Sequence, residues 1–160
     1  MLVQIVSGMQ TGADAGGLLA AELFSIKTGG WVPKGCKTER GPKPEYIERF
    51  GLWETNTDNY VPRTMSNAKL GDGTIRFAFD FDSKGEICTL NACQKYKKPV
   101  IDVDVEEPRP VQEVVEWIKS NKIATLNVAG NRESKYPGME KFVVKYLSEV
   151  FTALGHQQKV

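Results

Sequence analysis

Histidine is almost missing from this chain: its 160 residues contain one, His156, in a polar tail. That scarcity excludes Ser-His-Asp and Cys-His nucleophilic schemes. No Cys, His, Asp and Glu side chains recur at metal-ligand spacing, so a protein-ligated metal is not expected. Cysteine is scarce as well. Cys36, Cys88 and Cys93 are odd in number and form no Cys-x-x-Cys pair, which predicts reduced thiols and a cytoplasmic chain rather than a disulfide framework. No apolar run reaches membrane-spanning length, and Met1 to Val6 show no basic stretch or cleavage-like site, so neither a membrane nor an export route is expected. Charge of one sign is also lacking. Twenty-one basic against twenty acidic residues leave +1, which argues against nucleic acid as a partner and confines any anion site to a local feature.

What is present is the composition of one globular domain, 41% hydrophobic and 26% charged. That domain is expected over residues 1–154, with 155–160 as a disordered tail. Leu2 to Val6 reads as a strand, and Ala13 to Ile26 as a helix because Leu18, Leu19, Leu23 and Ile26 recur at helical spacing. Lys27 to Asn59, rich in Gly and Pro, reads as a long ordered loop with short extended pieces, and such loops are usually functional. The pattern then predicts a helix over Tyr60 to Leu70, a strand over Thr74 to Phe81 and a helix over Glu86 to Lys97. A strand at Pro99 to Val103, a helix at Pro110 to Ser120, a strand at Ala124 to Val128 and a helix at Met139 to Leu154 follow. Strand and helix alternate throughout. The expected fold is therefore α/β: a Rossmann-like three-layer domain whose mostly parallel sheet is flanked by helices, with ligands at the strands' carboxyl ends.

Three loops at those ends carry the candidate chemistry. In Ser7 to Asp14, Gly8 and Gly12 permit close approach, Gln10 and Thr11 are candidate ligand contacts, and Asp14 is either a contact or a first-turn acid that stabilises its helix. The loop is neither Gly-x-Gly-x-x-Gly nor a Walker lysine loop. The Asp80 to Thr89 loop is poorer for phosphate because of its acids. Ser83 or Asp82 there reads equally well as a helix cap, and Lys84 as a solvated charge. In Asn127 to Gly138, Arg132 offers a planar fork for a phosphate or carboxylate, Lys135 a point charge and Gly130 room for a ligand; an Arg132 surface pair with Glu133 or Asp14 is the plainer alternative. Outside the loops, Arg63, Thr64 and Asn67 share a helix face. Lys34 is a further loop cation beside Trp31, which either stacks on a planar ligand or packs into the core.

Five motifs occur in order: Ser7-Gly8-x-Gln10-Thr11-Gly12-x-Asp14, Gly29-Gly30-Trp31-x-Pro33-Lys34-Gly35, Gly41-Pro42, Tyr60-x-x-Arg63-Thr64-x-x-Asn67, and Asn127-Val128-Ala129-Gly130-x-Arg132-Glu133-Ser134-Lys135-x-Pro137-Gly138. Across nearly the whole chain they resemble the molybdenum carrier, or molybdenum cofactor carrier, proteins, in the superfamily that includes lysine-decarboxylase-like cytokinin-activating enzymes. The resemblance implies a Rossmann-like domain assembled as a homo-oligomer, a dimer or tetramer. Such a protein binds, protects and delivers the molybdenum cofactor (molybdopterin) without turnover, with cofactor biosynthetic or acceptor proteins as partners. Gly8, Gln10, Thr11 and Gly12 would cradle one anionic group, Arg132 and Ser134 a second, with Arg63 or Lys34 completing the rim. Asp14, Thr64, Gly85, Thr89, Gly130, Asn131 and Glu133 complete the candidate cofactor-binding set.

Two positions depart from the family's pattern. Where Gly-Gly-Thr-x-x-Thr is usual, Lys84-Gly85-Glu86-Ile87-Cys88-Thr89 keeps one glycine and the final threonine, and Asn131 stands where proline is usual. Two other functions compete. A phosphoribohydrolase acting on nucleoside monophosphates would use a Pro-Gly-Gly-x-Gly-Thr-x-x-Glu loop, but its glutamate falls on Thr89 and Glu86 takes the threonine position. A nucleotide-binding sensor module, for a ligand of ADP-ribose type, would suit the same glycine loops.

Overall fold

In β7 (Gly73–Ala78) every residue is buried, as happens when a parallel strand is covered by helices on both faces. The computed structural model describes all 160 residues and places β7 in a five-stranded sheet. Its companions are β1 (Gln4–Val6), β2 (Lys27–Gly29), β8 (Val100–Asp104) and β9 (Thr125–Gly130). The order is β2-β1-β9-β7-β8 and every pairing is parallel. The last strand of the chain thus lies at the centre. Counted from β9 as the first strand, the order becomes 3-2-1-4-5, that of a doubly wound nucleotide-binding sheet.

One helical layer comprises α1 (Ala13–Leu23), α5 (Val111–Ser120) and α6 (Met139–Ala153); the other comprises α3 (Tyr60–Leu70) and α4 (Lys84–Lys95). Leu18, Phe77, Leu126, Leu147 and Phe151 join a single core of 31 buried residues. Burying one such side chain contributes roughly 1.5–3 kcal/mol. The sheet and its two helical layers agree with the α/β Rossmann-like reading of the sequence. No helix is long and apolar enough to cross a membrane.

The element ends moved for identifiable reasons. Helix α4 starts at Lys84 because the Ser83 hydroxyl accepts the Glu86 N–H at 3.4 Å. Strand β7 stops at Ala78 because the next two N–H groups, of Phe79 and Asp80, turn to the Asn131 side chain. Between Lys27 and Asn59 the chain is more structured than a loop. Beyond β2 it forms a parallel pair, β3 (Trp31–Val32) with β6 (Trp53–Glu54), and a hairpin, β4 (Lys37–Thr38) with β5 (Gly41–Pro42). It also holds a six-residue helix, α2 (Glu45–Phe50), closed by Gly51 in the left-handed conformation. Six residues are too few for helical periodicity to stand out. Residues 155–160 lie outside helix and strand, yet the Lys159 N–H donates to the Leu23 carbonyl at 2.8 Å and the His156 N–H to Phe151 at 3.0 Å.

Candidate functional site

In a sheet of this order the ligand crevice opens between its first and fourth strands, here β9 and β7. A cleft of about 430 Å³ lies there, and only 3 of its 19 lining residues are hydrophobic. The volume suits a small ligand, and the lining calls for a polar one. All three loops singled out in the sequence reach it. Gly8, Gln10 and Asp14 come from the loop and helix after β1, Gly85, Glu86 and Thr89 from the start of α4, and Gly130, Asn131, Arg132 and Lys135 from beyond β9. A fourth wall is supplied by Tyr60, Arg63 and Thr64 of α3.

The floor is built from buried charge. Arg63 is 7% exposed, donates from Nη1 to the Gly8 carbonyl at 2.7 Å and lies 3.7 Å from Asp14 Oδ2. It is thus a strut between α3 and the β1 loop, not a solvated rim cation. This explains the glycine: a Cβ at position 8 would sit 2.2 Å from that guanidinium. Asp14 also accepts the Gln10 N–H at 3.3 Å. Burial, opposed by Arg63, raises its pKa to about 6. Glu86 is 4% exposed, and its Oε1 has no hydrogen-bond partner. Burial, with Asp14 adding repulsion and Arg76 opposing, raises its pKa to about 7.

The rim is organised differently, around a residue outside the sequence-level candidate set. Glu39, at the tip of the β4–β5 hairpin, accepts hydrogen bonds from the Thr11 hydroxyl, the Ser134 hydroxyl and the Ser134 N–H, the last at 3.1 Å. Arg132 Nε lies 3.1 Å from its Oε2. Gln10 Oε1 fastens the arrangement by accepting the N–H groups of Glu39 at 2.9 Å and Thr11 at 3.0 Å. Burial pushes the Glu39 carboxyl up, but the hydrogen bonds from Ser134 and Thr11 prevail and hold it below its ordinary range. The Arg132 pair is therefore with Glu39, not with Glu133 or Asp14. Arg132 spends only Nε on the protein, leaving its two Nη groups to the cleft mouth beside Lys84, which forms no ion pair.

Five of the sequence-predicted residues do not line the cleft. Thr11 and Ser134 hold Glu39 at its edge. Gly12, with φ 79°, brings α1 against the last loop, where a Cβ would meet the Asn131 carbonyl at 2.5 Å. Glu133 accepts the N–H groups of Gly138 at 2.6 Å and Glu140 at 2.9 Å, so its carboxylate caps α6 instead of facing a ligand. Lys34 is exposed on a turn held by the bond from its N–H to the Thr57 carbonyl at 2.9 Å. Within the cleft, Thr89 returns its hydroxyl to Gly85 of its own helix at 3.1 Å. Trp31 packs on Trp53, 5.6 Å between ring centres, and Asn67 clamps the Trp31 backbone at 2.7 and 2.8 Å. Asn131 donates its N–H to the Phe77 carbonyl at 3.0 Å. Proline could not make that bond.

Glu39 and Glu86 carry the largest consequences beyond the sequence-level set. Glu39 stands 28 residues from Thr11 and 95 from Ser134, so no local spacing reveals it. Glu86 did have a signal, as an acid in a loop where the resemblance implies threonine.

None of the curated proteins matches the chain. A crystal structure of a "Putative molybdenum carrier protein" from Syntrophus aciditrophicus SB is 34% identical, covers 94% of each chain and superposes with a TM-score of 0.84. Residues 5–151 match the circularly permutated YpsA SLOG family. Permutation is what the sheet displays, since its last strand occupies the place of a first. The chain belongs to the circularly permutated YpsA SLOG family.

Proposed function

We propose that this protein is a carrier that binds the molybdenum cofactor in the β9–β7 cleft, protects it and releases it unchanged to an acceptor. The observation that carries the reading is the convergence of all three strand-end loops on one polar cleft of ligand size, in a chain so similar to the Syntrophus protein. A pterin dithiolene already ligates its molybdenum. The protein has to supply donors for phosphate and acceptors for the pterin, and the cleft offers both. Arg132 Nη and Lys84 suit the phosphate, while Asp14 and Glu86 lie on the acceptor side. The carrier works in the cytoplasm as a homo-oligomer, exchanging its ligand with cofactor biosynthetic or acceptor proteins. Purified protein is expected to bind molybdopterin one to one and to slow its oxidative decay. Decay at the rate of free cofactor would refute the proposal.

Two buried carboxyls lining one cleft favour a hydrolytic reading. Asp14 and Glu86 have pKa values raised to about 6 and about 7, the range a general acid needs near neutrality. Incubation with AMP tests it: release of adenine, followed by chromatography, would make the cleft a phosphoribohydrolase site, and the carrier reading expects none.

A further inference from the structure

We infer that Glu86 forms a specificity subsite for a ring carrying two adjacent N–H donors, the 2-amino-4-oxopyrimidine edge shared by pterin and guanine. The inference deepens the carrier proposal and rests on it for the position of the ligand's phosphate end.

The first support is a missing partner. A carboxylate offers acceptor sites on both oxygens, yet Glu86, 4% exposed, has an Oε1 with no donor at all. Buried polar atoms left unpaired are rare and costly. The obvious partner is already committed. Arg76 directs Nε and Nη2 to the two oxygens of Asp102, both at 2.7 Å, and Nη1 to the backbone carbonyl of Glu86 at 3.0 Å. Its flat face lies on Phe81, 5.0 Å from the ring centre. Arg63 is spent on Gly8 and lies beside Asp14. Neither buried arginine is left to pair with Glu86.

The second support is position. Glu86 lines the same cleft as Arg132 and Lys84, so a ligand whose phosphate meets the cations can extend its other end to the carboxylate. Geometry then selects the chemistry of that end. Two parallel N–H bonds to one carboxylate are the arrangement arginine uses, and the N–H and NH₂ of a 2-amino-4-oxopyrimidine reproduce it. Hypoxanthine keeps one of those donors, and adenine sets an acceptor beside its amino group. Such rings lose a bond or gain a repulsion.

The test compares pairs that differ only at this edge, by calorimetry at pH 8: GMP against IMP, and pterin against lumazine. At least about tenfold tighter binding is expected for GMP and for pterin, the worth of one hydrogen bond to a charged group. Glu86→Gln, isosteric and expected to keep the fold by its melting curve, should bring both ratios close to one because an amide cannot accept two N–H bonds on one edge. Arg132→Ala should weaken GMP and IMP equally and leave their ratio intact. Equal binding within the pairs, no binding of any of the four, or discrimination that survives Glu86→Gln would overturn the subsite. The outcomes separate it from the carrier proposal. Molybdopterin held equally by the parent and Glu86→Gln would overturn the subsite alone, and guanine selectivity without molybdopterin binding would overturn the carrier alone.

Discussion

The rim and the floor of the cleft treat charge in opposite ways. At the rim, most donors that could greet an anion are already engaged by the protein's own carboxylates: Glu39 takes Thr11, Ser134 and Arg132 Nε, and Glu133 takes the N-terminus of α6. At the floor, Glu86 has been buried with an oxygen that nothing satisfies. The rim leaves only Arg132 Nη and Lys84 unclaimed, whereas the floor leaves an acceptor with no donor. A segment rich in Arg, Ser and backbone N–H is therefore a guide to anion binding only after its internal claimants are subtracted. An orphaned acceptor on a residue that lines a cleft, by contrast, has room for a donor that a ligand brings.

The contrast can be broken most severely through the strut beneath both regions. Arg63→Ala leaves Asp14 buried beside no cation and the Gly8 carbonyl without its donor, and should cost about 3–5 kcal/mol in denaturant unfolding. A loss below about 1 kcal/mol would mean that the floor is wetter than its burial implies.

Glu86 sharpens the comparison through pH. Its pKa is raised from an ordinary 4.5 to about 7, so between those values the folded protein binds more protons than the unfolded one and stability falls as pH rises. Burial is the main cause of the shift; Asp14 on α1 and Asp102 on β8 add to it, while Arg76 on β7 and Lys135 in the loop before α6 oppose it. Asp14, raised from 3.8 to about 6, contributes a decline of the same sign over the lower part of that window. Glu86→Gln should remove the upper part and raise stability at pH 8 by on the order of 2 kcal/mol. Melting curves at pH 5 and pH 8 measure it, and an unchanged difference between them would mean that Glu86 is not carrying a buried charge.

The smallest effect tests the rim. Glu39→Ala frees the Thr11 hydroxyl, both Ser134 donors and Arg132 Nε, and should tighten inorganic pyrophosphate about tenfold, roughly 1.4 kcal/mol. Weaker binding in that variant would show that Glu39 organises the rim for ligand instead of occupying it.

Much of the fold was legible in the residues. The helical recurrence of Leu18, Leu19 and Leu23 and the apolar run ending at Val6 placed β1 and α1, and the same reasoning located the strand ends where the cleft opens. The identities of the participants were less legible, because burial and distant pairing decided them. Arg63 looks like a solvated helix residue until the missing Cβ of Gly8 lets it lie against the β1 loop. Glu133 looks like a partner of Arg132, yet five and seven residues onward it caps α6. Asn131, where the resemblance implies proline, shows its part only once its N–H is seen on Phe77.

In the proposed carrier, the β9–β7 cleft holds the cofactor and Glu39 competes for its rim. Titration of molybdopterin into the parent, Arg132→Ala and Glu39→Ala tests this most directly. The account predicts one molecule per chain, weaker binding for Arg132→Ala and tighter binding for Glu39→Ala. Affinities that are the same in all three proteins would contradict it.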